Sequence, residues 1–135
     1  IFANSAAPGG HVIVEDCAII GGLVGIHQFV RIGAHSIVGG CSGVPQDVPP
    51  YMMVVGERAK VYGLNSVGLK RRNFSEESIK TLHRAHRILF RSKLRIKHAV
   101  EQVKAEIQGC AEVEYLIAFI EQSQRGICRG VSKEK

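Results

Sequence analysis

The sequence contains no tryptophan, and aromatic residues make up only 6% of its 135 positions. Hydrophobic residues reach 45%, so there is enough apolar material for a core. That core has to be filled by Val, Ile, Leu and Ala, which suits a narrow interior. Cysteine is sparse. Cys17, Cys41, Cys110 and Cys128 are widely spaced with no CxxC pair, which argues against a disulfide framework or a thiolate metal site and points to reduced thiols in a cytosolic protein. No apolar run is long enough to span a bilayer. No signal peptide is expected, because a repeat is already under way at residue 1. Acidic side chains are the minority, 12 against 18 Lys and Arg, for a net charge of +6. This balance suggests an anionic partner without saying which: nucleic acid, phosphorylated small molecule, acidic carrier protein or membrane surface. The length fits one domain, or one and a fraction.

The chain does contain a period of six. Counted from Val14, the leading positions are Val14, Ile20, Ile26, Ile32, Val38 and Val44. The following positions are Glu15, Gly21, His27, Gly33, Gly39 and Pro45, and two places before each leading residue stand Val12, Ala18, Val24, Val30, Ser36 and Ser42. Phe2 and Pro8 extend the leading slot backward, with Gly9 following Pro8. A fixed hexapeptide period marks a parallel β-helix, in which each inward side chain packs on those of the coils above and below. An ordinary antiparallel sheet would alternate with period two between more widely spaced turns. The expectation is that the aliphatic residue points inward and that the glycine after it makes the corner, where positive φ is cheap.

The period fails at Pro45, and Pro49-Pro50 closes the regular coils, since proline cannot donate to a ladder. Residues 51–63 read as a strand and loop leaving the solenoid. Helices are expected over 75–91 (Ile79, Leu82, His86, Leu89 on one stripe), 95–108 (Val100, Val103, Ile107, stopped by Gly109) and 111–124 (Val113, Leu116, Ile117, Ile120), with a frayed polar tail from Arg129. The domains are then 1–63, coils and exit segment, and 64–135, helical.

Several residues could carry chemistry. Gly9-Gly10-His11 is either a tight corner with a surface imidazole or an oxyanion pocket beside a titratable group. His27 takes a slot that glycine fills at Gly21, Gly33 and Gly39; such local breaks often mark function, although an exposed corner would also tolerate it. His35 reads as an outward surface residue. His11, His27 and His35 are not separated by whole hexads, so their rings are expected at different corner positions and no metal site is assigned. Lys70-Arg71-Arg72 is either a solvated face or a phosphate clamp, placed just before a helix that Asn73 or Ser75 can cap.

The stretches IFANSA, GGHV (9–12), AIIGG (18–22), IHQFVRIGAHSIVGGCSGV (26–44), QDVPPY (46–51) and GLNSVGLKRRNFS (63–75) together resemble the C-terminal half of the family that O-acylates UDP-N-acetylglucosamine at the start of lipid A biosynthesis. The resemblance covers essentially the whole chain. It implies a left-handed parallel β-helix followed by a helical domain, a homotrimer in the cytoplasm with sites between subunits, and no cofactor. The implied reaction moves a 3-hydroxyacyl group from acyl carrier protein to the 3-hydroxyl of UDP-N-acetylglucosamine. The implied partners are those two molecules, not nucleic acid or a transmembrane neighbour. By matching positions, Gly10 is the oxyanion donor through its N–H, and His11 and His27 line the cleft. Gln28 contacts substrate, Gly40 lines the acyl channel, and Asn65, Arg71 and Arg72 face the nucleotide end. The family's general base falls in a His-Asp-Cys stretch one coil before Ile1, so residues 1–135 alone are expected to be inactive. Val67 stands where relatives often carry an acidic nucleotide contact. A related hexapeptide N-acyltransferase and a non-catalytic trimerisation or carrier-docking module are the alternative readings.

Overall fold

The computed structural model describes residues 7–8 and 10–131. The readings made on Phe2, on Gly9 and on the chain beyond residue 131 lie outside the described residues.

Seven two-residue strands begin six residues apart: β1 Ala7–Pro8, β2 Ile13–Val14, β3 Ile19–Ile20, β4 Gly25–Ile26, β5 Arg31–Ile32, β6 Ile37–Val38 and β7 Gly43–Val44. Each of β1 to β4 pairs in parallel with the strand three further on. Ala7 lies beside Gly25 and Gly25 beside Gly43; Ile13 pairs with Arg31 and Ile19 with Ile37. Three strands therefore make one coil, and the three ladders are the faces of a prism. The leading residues Ile20, Ile26, Ile32, Val38 and Val44 are at most 4% exposed, as are Ala18, Val24 and Val30. Each such Val or Ile side chain withdrawn from water contributes about 1.5–3 kcal/mol, as an upper bound. Ser36 and Ser42 occupy the same inward slot with their hydroxyls satisfied: Ser36 Oγ donates to the Gly33 carbonyl at 2.7 Å, and Ser42 Oγ accepts from Gly56 N at 3.1 Å.

The corners correct one expectation. Positive φ falls two places after the glycine slot, on His11, Cys17, Leu23, Phe29, His35 and Cys41, and not on Gly21, Gly33 or Gly39. Those glycines are there for space. A Cβ on Gly21 would stand 2.7 Å from Gly40 N, and one on Gly33 would stand 2.5 Å from Pro50 N. The next coil's backbone passes where a side chain would be.

The solenoid also runs further than the hexads. Gly33 N donates to Val48 O at 2.9 Å, which places Val48 against Ile32. A longer strand, β8 (Met52–Val55), continues the third face below β6, with Ile37 beside Met53. The step is now 16 residues instead of 18, because the proline segment cuts the corner. β9 (Lys60–Leu64) then folds back antiparallel on β8.

Four helices follow: α1 Ser66–Arg71, α2 Glu76–His86, α3 Ile96–Glu106 and α4 Ala111–Gln122. Ser75 Oγ caps α2 by accepting from Ser78 N at 3.0 Å, with Glu76 and Glu77 favourable in its first turn. The α2 stripe of Ile79, Leu82, Ala85 and His86 is buried, and the helix continues as a π-helical turn, Arg87–Arg91. α3 buries Ala99, Val100 and Val103; α4 buries Val113, Leu116, Ile117, Phe119 and Ile120. The segment after α4 is tied to the solenoid through residue 131. Cys128 N donates to Asp47 O at 2.8 Å and Val61 N to Arg129 O at 2.7 Å, so Arg129 begins no frayed tail. A polar seam joins α4 to the coils. Glu15 bonds Arg31 at 2.9 Å and accepts from the Tyr115 hydroxyl; Arg31 lies over the Phe119 ring at 4.5 Å, and Asp47 accepts from Ser123 Oγ at 2.6 Å.

Candidate active site

The prism places the candidate residues in three groups, one at each corner. Gly10 and His11 lie after β1; His27 and Gln28 lie directly below them after β4. A Cβ built on Gly10 would touch Gln28 Nε2 at 3.6 Å, and the His11 ring stacks on Phe29 at 5.5 Å, nearly parallel. His11 and His27 thus share a corner, contrary to the spacing argument: sixteen residues is two short of a full coil, so they differ in slot and not in edge. Gly10, His11, His27 and Gln28 are all solvent-exposed. His27 is an outward residue with no positive φ, so its slot imposes no strain on it. Phe29 was not singled out from sequence. It is 60% exposed, and its place in the positive-φ slot is what turns it outward over His11.

Gly40 lies after β6, exposed, with Gly22 stacked above it; a Cβ there would meet Gly22 O at 3.3 Å. Two glycines on successive coils leave this corner bare.

The third corner holds a pocket of about 260 Å³ whose walls include Cys17, His35, Asn65, Val67, Arg71 and Arg72. Asn65 builds it. Its Oδ1 accepts from Gly68 N at 3.3 Å to cap α1, while its Nδ2 donates to the His35 carbonyl at 3.0 Å, pinning the helix to the coil. Gly68 makes that cap possible, since a Cβ there would lie 2.4 Å from Asn65 Nδ2. Arg71 and Arg72 stand shortly before Ser75, which caps α2 as expected, but they also close a helix not expected from the sequence: they are the last residue and the C-cap of α1. A helix C-terminus favours cations, so the guanidiniums supply the positive field without help from a dipole. His35 is no outward surface residue. It is half-buried, packs parallel to Tyr51 at 5.9 Å and edge-on to Phe74 at 4.9 Å, and its pKa is lowered by burial and then by Arg72. The imidazole is therefore biased to the neutral form beside two cations. Among the described residues no group of three His, Cys, Asp or Glu is placed to hold a metal ion, and no helix is long and apolar enough to cross a membrane.

The family model for UDP-N-acetylglucosamine O-acyltransferase, domain 2, matches residues 47–128. An acyl-[acyl-carrier-protein]–UDP-N-acetylglucosamine O-acyltransferase of Myxococcus xanthus is 49% identical over 118 residues, covering 87% of this chain and 46% of that protein. The enzyme of that name from Burkholderia mallei is 45% identical over 133 residues, 96% of this chain and 51% of the other. The solved UDP-N-acetylglucosamine acyltransferase of Francisella novicida superposes with a TM-score of 0.90 at 36% identity, over 95% of this chain and 47% of that one. The chain spans about half the length of the curated relatives it matches. On this agreement of sequence and structure, the chain belongs to the UDP-N-acetylglucosamine O-acyltransferase family.

Proposed function

We propose that this chain forms the C-terminal part of an enzyme that moves a 3-hydroxyacyl group from acyl carrier protein to the 3-hydroxyl of UDP-N-acetylglucosamine, the first step of lipid A biosynthesis, in the cytoplasm. The reading includes left-handed winding of the coils, a boundary between solenoid and helical domains at residues 63 and 64, and a homotrimer. In the step itself the sugar hydroxyl oxygen attacks the thioester carbon, a base takes its proton, and the carrier thiol leaves with a proton. The base is assigned to no residue of this chain. Gly10 contributes its N–H to the oxyanion, worth about 3 kcal/mol where such donors have been removed. His11, His27 and Gln28 line the cleft, Gly40 leaves room for the acyl chain, and Asn65, Arg71 and Arg72 hold the nucleotide end.

The observation that carries this reading is the division of the candidate residues among three corners. A single chain presents its exposed imidazoles on one edge and its cationic pocket on another, separated by a face of the prism. A site that uses both needs two chains side by side, each lending a different edge.

The test is binding and complementation. In an enzyme carrying this chain, Arg71→Ala weakens UDP-N-acetylglucosamine binding by about 1.5–3 kcal/mol, the range for charged hydrogen bonds, measured by calorimetry. Subunits carrying Arg71→Ala and subunits carrying His27→Ala are each impaired alone, and regain transfer when dissociated and reassembled together. Unchanged nucleotide affinity removes the clamp assignment. Failure to regain activity places both groups in one subunit's site.

A further inference from the structure

A second cavity, of about 630 Å³, lies where the π-helical turn, the start of α3 and the segment after α4 meet. It shares no lining residue with the pocket around Asn65. Its size is that of a small-molecule site, and it sits at a junction between elements of different parts of the fold, where such sites concentrate.

Two properties define what would fit. Lys93, Arg95 and Arg129 line it, all exposed, and no Asp or Glu does. Among the described residues none of the three is in an ion pair; the bridges present join Arg31, Arg84 and Lys104 to carboxylates elsewhere. Three like charges around one hollow repel each other unless an anion enters. Most of the remaining wall is apolar, with Gln46 as its uncharged polar side chain. Leu89 and Ile127 form a buried floor, while Leu94 and Ile96 are left 41% and 38% exposed at the rim. The hollow is built into the fold. Gly130 runs against the Phe90 carbonyl so closely that a Cβ would stand 2.4 Å from it, and Arg129 is fixed by the Val61 bond at 2.7 Å.

We propose that this cavity binds a small amphiphilic anion, a single acyl chain with a phosphate or carboxylate head, separately from the family reaction. The chain lies on Leu89, Leu94, Ile96 and Ile127, and the head is held by Lys93, Arg95 and Arg129. A neutral lipid leaves the cations uncompensated, and a bare anion leaves the exposed leucine and isoleucine in water.

Calorimetry on the full chain with decyl phosphate, kept below its micelle concentration, tests this. One saturable site per chain is expected. Inorganic phosphate and decyl maltoside should each bind at least tenfold more weakly, and a parallel titration with decanoate separates the two head groups. Lys93→Gln with Arg95→Gln should weaken decyl phosphate binding at least tenfold, and Arg129→Gln alone by about threefold; far-UV circular dichroism verifies that each variant is folded, and either suffices if the other is not. The proposal is overturned if decyl phosphate does not saturate, or if inorganic phosphate or decyl maltoside binds equally well. It is also overturned if Arg71→Gln abolishes binding while the Lys93 and Arg95 changes do not, which would put the molecule in the other pocket. Binding of an acidic peptide with no binding of decyl phosphate would make the cavity a protein-docking surface and equally sink it.

Discussion

Glycine does two different jobs in this molecule, and the solenoid coils and the connection between α3 and α4 show one each. In the solenoid, Gly21 and Gly33 have ordinary φ angles and are required because neighbouring backbone occupies the place of a side chain. Beyond the solenoid, Gly109 and Gly126 have φ of 76° and 83°, and nothing stands within 4 Å of where a Cβ on Gly109 would be. The positive-φ burden of the coils falls instead on His11, Leu23, Phe29 and their fellows, one per corner, at a cost of about 1–2 kcal/mol each. Tight stacking of coil on coil is what holds them there. At Gly21 and Gly33 neighbouring backbone dictates the residue; at Gly109 the local backbone conformation does.

The largest expected effect sharpens this contrast in the cores. Ile32 is fully buried, with Val14 and Val48 as its partners along the same face. Leu116 is equally buried, but on a helix. Coils locked by ladder hydrogen bonds cannot close over a void, while a helix can shift toward one, and the cost of a large-to-small change depends on that collapse. Ile32→Ala is expected to cost about 4 kcal/mol and Leu116→Ala about 3, from denaturant melts; a reversed order would break the comparison. Next is Gly33→Ala. Its Cβ meets Pro50 N and Cα at 2.5 and 2.7 Å, atoms that cannot swing away, and overpacking of this kind costs about 3 kcal/mol. Asn at the same position should be no better, since φ is not the problem.

The helical part carries a pH dependence of its own. His86 is buried at the end of α2, its Nε2 has no hydrogen-bond partner among the described residues, and its pKa is lowered to about 4, first by burial and then by Arg91, His83 and Arg87. The unfolded chain takes up a proton near pH 6.5 and the folded chain only near 4. Stability is therefore unaffected above about pH 6.5 and is lost as pH falls from there toward 4, by roughly 2–4 kcal/mol for a shift of this size. His86→Phe should flatten the stability profile of the chain across that window; a profile as steep as the parent's would assign the acid sensitivity elsewhere.

The hexad period was legible because every leading side chain from Ile20 to Val44 answers to one requirement, burial. The corner conformation was not. Glycine announces itself in sequence without saying whether space or φ demands it, and Leu23 or Cys41 carries no sign of a left-handed backbone. The extra coil through β8 was hidden because its two-residue deficit destroys the register just where Pro45, Pro49 and Pro50 suggest an end. α1 escaped because SVGLKR is too short to show an apolar stripe and contains Gly68, whose reason is the Asn65 side chain. Of the candidate site, Asn65, Arg71 and Arg72 were picked by family resemblance; spacing alone would have left them a solvated face. His35 was missed since its contacts, Tyr51 and Phe74, arrive from later in the chain.

The smallest effect concerns Gly109, the counterpart of Gly33. It follows Ile107, the C-cap of α3, and turns the chain toward α4 with φ of 76°. There is open space around its Cα, so a substitution meets no atom and pays only the backbone term. Gly109→Ala is expected to cost about 1 kcal/mol, the lower end for an L-residue in the left-handed region. Gly109→Asn should recover at least half of that, because a short polar side chain that bonds locally tolerates this conformation. The pair of substitutions, repeated at Gly33 and Gly109 and followed by thermal melts, separates the two uses of glycine by pattern and not by size alone: rescue by Asn at one position and none at the other. If Asn rescues both, a positive φ matters at Gly33 after all; if it rescues neither, Gly109 is held by a contact that its open surroundings do not reveal.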